Sequence, residues 1–204
     1  MEQRRSRRHI QESGLEQLLE RCTMSGFVVT KHWQEHMRRT AESFIAKPGD
    51  SWFFAGGQPG CGKTHICTAV AGELLESGKS LRYMLWKDES AKLKAVMNDP
   101  KYESQIDKWK RCEVLYIDDL LKTAKDETAG KYKPPTPGDI NLAFEILNYR
   151  YNNRLTTIIS SEHTLNSLIS IDEAVGSRIY ERSKGFCINI GLDSSKNQRF
   201  NKED

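Results

Sequence analysis

Apolar residues along the chain follow two alternating patterns. Short runs rich in apolar and β-branched residues are typical of buried β-strands. These runs are Trp52–Gly56, Leu81–Trp86, Val114–Ile117, Thr156–Ser160 and Phe186–Ile190. The longer segments between them repeat apolar residues every three or four positions, as amphipathic helices do. Strands that alternate with helices predict an α/β fold with a parallel sheet covered on both faces.

The helical segments and the remaining polar stretches suggest a division of the chain. Residues 1–47 are polar and helical in pattern, so we assign an N-terminal helical segment at 1–47 and a core domain at 48–204. Residues 121–138 are rich in lysine, proline and glycine, which predicts a loop. The predicted core helices are Lys63–Ser77, Ser90–Arg111 with a break at Pro100, a helix with Ile140, Phe144, Leu147 and Tyr151 on one face, and Leu165–Lys184.

A complete phosphate-binding pattern, G-x-x-x-x-G-K-T, follows the first predicted strand. Its glycines let backbone N–H groups point at a phosphate, and the following helix adds its positive dipole end. We expect Lys63 to neutralise the β- and γ-phosphates of ATP and Thr64 to hold Mg²⁺. The expected nucleotide-binding residues are Gly57, Pro59, Gly60, Cys61, Gly62, Lys63, Thr64 and His65.

Two acidic residues, Asp118 and Asp119, end the third predicted strand. The carboxyl ends of parallel strands meet at one edge of a sheet, so both side chains are expected beside the phosphates. We assign Asp118 to the Mg²⁺ shell, together with Thr64. We assign Asp119 to catalysis, as the carboxylate that orients or deprotonates the attacking water.

Bulk properties narrow the class of protein. The 204 residues suffice for one α/β domain and are too few for two. A net charge of +3 neither requires nor excludes a nucleic-acid partner. The five cysteines are odd in number and widely spaced, which argues against a disulfide framework or a four-cysteine zinc site. No membrane span or secretory signal is evident, so we expect a cytoplasmic protein with no membrane partner.

Five motifs follow one another along the chain: Gly62–His65, Tyr116–Lys122, Asn148–Tyr151, Thr157–Glu162 and Gly176–Arg182. In this order they resemble the AAA+ core of bacterial and phage helicase loaders, the DnaC family. The resemblance covers roughly residues 25 to 200. It implies a five-stranded sheet in the order 5-1-4-3-2, ATP and Mg²⁺ bound between subunits of a homo-oligomer, and as partners a replicative helicase and single-stranded DNA.

The resemblance also implies two further catalytic residues. Glu162 occupies the tip of the sensor-1 strand, where the family usually has an asparagine that positions the attacking water. An ionised carboxylate accepts hydrogen bonds but donates none, so either Glu162 orients the water differently or Ser161 takes the role. Arg178 resembles the arginine finger that reaches a neighbouring subunit's γ-phosphate; the alternative is a surface arginine paired with Glu173 or Glu181.

The chain departs from the loader pattern at both ends. Only a short stretch follows the last predicted strand, so we expect no C-terminal lid domain, in agreement with the loaders. The region before the phosphate loop is too short for the loaders' helicase-binding domain, which suggests a truncated or naturally minimal form. Other functions stay open: a transposition helper ATPase of the IstB type, a P-loop small-molecule kinase, and an ATP-dependent adapter that does not hydrolyse ATP.

The segment after the second predicted strand combines basic and aromatic residues. Such a segment can follow a DNA backbone with its cations and stack bases on its aromatic rings. Acidic residues nearly cancel its charge, so a solvated amphipathic helix is an equal alternative. The residues concerned are Lys92, Lys94, Lys101, Tyr102, Lys108, Trp109, Lys110 and Arg111. A second basic cluster, Arg4, Arg5, Arg7 and Arg8, is more typical of a solvated terminus.

Overall fold

The computed structural model describes residue 10, residues 15–124 and residues 133–199. Within them, five parallel strands form one sheet in the order β2-β3-β4-β1-β5, which confirms the predicted order. The strands are β1 (Trp52–Gly57), β2 (Leu81–Leu85), β3 (Val114–Asp118), β4 (Thr156–Ser161) and β5 (Cys187–Ile190). The basic cluster at Arg4–Arg8 lies outside the described residues.

Helices cover both faces of the sheet. They are α1 (Leu15–Arg21), α2 (His32–Ala46), α3 (Lys63–Glu76), α4 (Trp86–Ala95), α5 (Tyr102–Lys110), α6 (Pro137–Asn152), α7 (Leu165–Ile171) and α8 (Glu173–Arg182). The predicted helix Leu165–Lys184 is divided, because the Asp172 side chain accepts the Val175 N–H and starts a new helix. Trp86 begins α4, so the prediction that the second strand extends to Trp86 is wrong. No helix in the described ranges is long and apolar enough to cross a membrane.

The two faces of the sheet support separate hydrophobic clusters, because successive strand residues point to opposite faces. Phe53 of β1 packs with Met37 and Phe44 of α2 on one face. Phe54 packs with α4, α5, α6 and the last two helices on the other. The buried face of α6 differs from the apolar face that the sequence predicted, and the two share only Leu147. Leu142, Ala143, Ile146 and Leu147 are buried, whereas Ile140, Phe144 and Tyr151 are only half-buried.

The parallel register gathers the ends of three strands. Gly56 of β1 lies opposite Ser161 of β4, and Ile117 of β3 lies opposite Ile159. The phosphate loop after β1, the acidic pair after β3 and the end of β4 therefore share one edge of the sheet. That edge contains the candidate site.

Candidate nucleotide-binding site

The phosphate loop connects β1 directly to α3. Gly57 and Gly62 have φ angles of 122° and 83°, in a region that favours glycine. A Cβ atom at Gly57 would lie 1.9 Å from the Ile190 carbonyl oxygen, so only glycine fits beside β5. Gly62 is the N-cap of α3, and its left-handed conformation turns the chain into the helix. The backbone thus has the curvature that the sequence pattern predicts.

Lys63 is held at the loop that precedes it. Its side chain is 6% exposed, and its Nζ donates to the Gln58 carbonyl oxygen at 2.7 Å. The Cys61 thiol donates to the same oxygen at 3.0 Å. His65 lies differently: its Nε2 is 2.9 Å from the Thr23 carbonyl oxygen, and its ring packs edge-on against Phe27. The structure thus places His65 against the segment that precedes α2.

Asp118 is buried at the end of β3 among hydroxyl groups. Its carboxylate accepts hydrogen bonds from Thr64 Oγ1 at 3.2 Å, from Tyr83 Oη at 3.1 Å and from Ser160 Oγ. Burial raises the pKa of Asp118 above its ordinary value, although hydrogen bonds from Ser160 and Tyr83 oppose this shift. Thr64 and Asp118, predicted to share Mg²⁺, are therefore in contact, and their oxygen atoms are of the kind that Mg²⁺ binds.

The turn that follows β3 is unusual because two of its non-glycine residues have positive φ angles. Asp119 has φ 58° and Leu121 has φ 59°. The surroundings hold this strained conformation: Leu120 and Leu121 are fully buried, and the Asp119 N–H donates to Ser160 Oγ at 2.9 Å. Such strain is maintained only where the surrounding structure compensates for it, typically at functional sites.

Lys122 joins the site, which our sequence interpretation did not anticipate. Its Nζ lies 2.7 Å from Asp119 Oδ2 and 3.0 Å from Glu162 Oε1. Burial alone would lower the pKa of this lysine, but the two carboxylates outweigh it and raise the pKa to about 12. No signal in the sequence indicated these contacts, because they depend on the tight turn after Asp119 and on Glu162 at the end of β4.

The roles of Ser161 and Glu162 differ in the structure. Ser161 is fully buried, and its hydroxyl donates to the Leu120 carbonyl oxygen at 2.8 Å. It also accepts the His163 N–H at 3.1 Å, so this serine holds the turn. Glu162 instead faces a cavity of 410 Å³. That cavity is lined by Gly57, Gln58, Pro59, Lys122, Thr123, Glu162, His163, Thr164, Ser167, Ile190 and Leu192.

Arg178 lies on α8 and contacts α6. Its Nε donates to Asn148 Oδ1 at 3.0 Å, and its guanidinium lies 4.8 Å from the centroid of the Phe144 ring. Within the described ranges no ion pair joins it to Glu173 or Glu181. The surface-pair alternative is therefore not observed, and the arginine-finger role stays a prediction. Arg182, also on α8, pairs with Asp50 at 3.0 Å.

The basic segment after β2 is only partly available to DNA. Trp109 is 5% exposed and belongs to the core, so the prediction that it stacks on bases is wrong. Lys110 is also buried and lies 2.6 Å from Glu145 Oε1. Lys94 pairs with Asp139 and Arg111 with Asp107. Three exposed lysines, Lys92, Lys101 and Lys108, line a 290 Å³ groove between α4 and α5, and Lys92 pairs with Glu89 on the same groove at 2.6 Å.

The sheet order, the loop after β1 and the acidic pair after β3 define the AAA+ fold of P-loop ATP-binding proteins. Residues 43–198 match the family described as IstB-like ATP binding protein. The match covers most of the chain, and the chain belongs to this family.

Two curated relatives come from Bacillus subtilis strain 168. The chain is 36% identical over 139 residues to the uncharacterized protein YqaM, a match that covers 67% of this chain and 42% of the relative. It is 37% identical over 136 residues to the phage-like element PBSX protein XkdC, covering 66% of this chain and 48% of the relative. The matched region is thus less than half the length of either relative.

Two solved structures show the same fold. The DnaC helicase loader has a TM-score of 0.64 at 22% identity, covering 84% of this chain and 95% of that one. The DnaI structure has a TM-score of 0.65 at 22% identity, covering 87% and 94%. At these identities the likeness establishes the fold.

Proposed function

We propose that the protein is a Mg²⁺-dependent ATPase that loads or remodels a replicative helicase on single-stranded DNA. The observation that carries the proposal is the meeting of Lys63, the Thr64–Asp118 pair and Asp119 at one sheet edge, beside an open cavity. Support for the biological role comes from the fold, which this chain shares with the DnaC helicase loader.

Each residue has a chemical task in this proposal. Lys63 would bind the β- and γ-phosphates, while Thr64 and Asp118 would hold Mg²⁺, which neutralises charge on the phosphates. Asp119 would accept a proton from water while the oxygen atom of that water bonds to the γ-phosphorus. The bond from that phosphorus to the β-phosphate oxygen breaks, and ADP leaves. Glu162, on the same cavity, would orient the water through a bridging hydrogen bond that it accepts.

Assembly and DNA binding are parts of the same proposal. Arg178 would supply a cation to the γ-phosphate of a neighbouring subunit in a homo-oligomer, as arginine fingers do. DNA would follow the exposed lysines Lys92, Lys101 and Lys108 at the groove between α4 and α5, where phosphates can be neutralised. Trp109 is 5% exposed, so this surface would hold DNA through its lysines and not by stacking bases, and Lys92 would exchange its ion pair with Glu89 for a phosphate.

The deciding experiment measures ATP hydrolysis per subunit as protein concentration rises, with and without single-stranded DNA. We expect the specific rate to rise with concentration and to respond to DNA. Asp119→Asn serves as the inactive control. A protein that binds ATP without turnover under all conditions would be an adapter, and phosphoryl transfer to a small molecule would indicate a kinase. Delivery of the cognate hexameric helicase to circular single-stranded DNA then tests the loader role.

A second candidate is an ATP-dependent helper in transposition. It is favoured by the family match and by a relative from Sinorhizobium fredii named as a putative insertion sequence ATP-binding protein, 27% identical over 128 residues. A transposase gene next to the coding gene, and ATP-dependent binding of that transposase, would support this candidate over the loader.

A further inference from the structure

Lys122 stands between two carboxylates at the edge of the candidate site. Among the residues that the structure describes, it is the only cation within ion-pair distance of Asp119 or Glu162. Lys122 and Glu162 also line the cavity that begins at the phosphate loop. One ammonium group therefore compensates two negative charges at a cavity that Gly57, Gln58 and Pro59 of the phosphate loop also line.

We propose that Lys122 makes this site prefer a nucleoside triphosphate to a diphosphate, an inference that rests on the proposed ATP site. The third phosphate brings added negative charge toward Asp119 and Glu162, which would repel it if they were uncompensated. An ammonium has three N–H donors, and the two carboxylates take two of them. The remaining donor can bind an oxygen of the γ-phosphate. A diphosphate lacks that phosphate and gains less from the lysine.

The backbone keeps Lys122 at this position. Its own N–H donates to the Asp119 carbonyl oxygen at 2.9 Å, closing a tight turn directly after β3. The Leu120 N–H donates to the Ser160 carbonyl oxygen at 2.8 Å, which attaches the turn to β4. Leu120 and Leu121 anchor the turn in the core. The lysine thus projects from a held turn, and its charge is preorganised for a phosphate.

The test compares affinities for a non-hydrolysable ATP analogue and for ADP, measured by calorimetry or fluorescence. Lys122→Met should reduce the ratio of analogue to ADP affinity about tenfold, mainly by weakening the analogue. Lys122→Arg keeps the cation and should retain most of the ratio. Lys184→Met removes an equal charge from an exposed position after α8 and should leave the ratio unchanged.

A second variant tests the charge argument independently. Glu162→Gln removes one repelling carboxylate, so it should raise the ratio and reduce the effect of a simultaneous Lys122→Met change. Lys122→Gln replaces Lys122→Met if the latter melts well below the wild type.

The possible results separate this inference from the proposed function. A wild-type protein that binds neither nucleotide would refute the ATP site and this inference together. A wild-type preference for the analogue that persists in folded Lys122→Met or Lys122→Gln protein would refute only the role of Lys122. An equal fall in the ratio of analogue to ADP affinity in Lys184→Met would show an effect of overall charge and would also refute the role of Lys122.

Discussion

Two neighbouring aspartates at the end of β3 have identical side chains in different surroundings. Asp118 is buried and accepts hydrogen bonds from three hydroxyl groups, Thr64 and Ser160 at Oδ1 and Tyr83 at Oδ2. Asp119 has a side chain 21% exposed and an ion pair with Lys122. The first is suited to holding a cation, and the second to meeting water. Their proposed tasks differ accordingly.

Substitutions of Lys63 and Asp119 should therefore have different effects. Lys63→Ala removes the buried ammonium at the phosphate loop and should abolish tight ATP binding. Asp119→Asn keeps the shape of the side chain and should bind ATP like the wild type while hydrolysing it poorly. A fluorescent ATP analogue and a phosphate-release assay distinguish the two outcomes. Wild-type binding by Lys63→Ala, or wild-type turnover by Asp119→Asn, would contradict the site assignment.

At the scale of elements, Arg150 ties the end of α6 to the starts of β3 and β4. It is fully buried, and its Nε donates to Thr157 Oγ1 at 2.9 Å. Its Nη1 donates to the Cys112 carbonyl oxygen at 2.8 Å, and its Nη2 donates to the Thr156 carbonyl oxygen. The guanidinium thus donates to backbone carbonyl groups at the end of α5, before β3 and at the start of β4.

Arg150→Met should lower the free energy of unfolding by about 3 to 5 kcal/mol, because several buried carbonyl groups lose the hydrogen bonds that the guanidinium donates. Urea unfolding followed by circular dichroism measures the change. Arg154 offers a matched control, since its side chain is 79% exposed. We expect Arg154→Met to change stability by less than about 0.5 kcal/mol. Equal effects of both substitutions would mean that the buried network contributes little.

Close packing of α7 against α8 depends on Gly176. A Cβ atom there would lie 2.6 Å from the Ile169 backbone, which must then shift. Gly176→Ala should destabilise the protein by about 1 to 3 kcal/mol and displace the helix that carries Arg178. Gly138→Ala is the control, because the nearest atom to its Cβ is a Lys94 side-chain carbon at 3.6 Å. Thermal unfolding of both variants tests the contrast, and no loss of stability in Gly176→Ala would show that the helices can separate freely.

At the scale of the whole molecule, the described contacts of Arg178 are with α6 and α8, not with the phosphate loop of its own chain. A site completed by a neighbouring subunit therefore remains our prediction. Mixing Arg178→Ala with Lys63→Ala protein should restore part of the ATPase activity, since each supplies the half that the other lacks. No rescue at any ratio, in oligomers shown to be mixed, would argue for a structural role of Arg178.

DNA binding by the assembled protein should depend on the lysines at the groove between α4 and α5. Replacing Lys92, Lys101 and Lys108 together by Ala should weaken binding to single-stranded DNA and reduce the slope of log affinity against log salt by about 2. Replacing exposed Lys47, Lys79 and Lys184 removes the same charge and should change the slope less. Anisotropy titrations at several salt concentrations provide the slopes, and equal slopes in both triple variants would place DNA on another surface.

The sequence alone determined the strand order, through the resemblance, and the positions of Gly57–Thr64 and Asp118–Asp119. The phosphate loop and the acidic pair depend on local backbone geometry and on strand ends, which neighbouring residues encode. Only the tertiary structure showed that Trp109 and Lys110 are buried, that Arg150 is a structural link and that Lys122 joins Asp119 to Glu162. Burial and ion pairing depend on residues brought together from distant parts of the chain, and periodicity within one helix or turn does not encode those contacts.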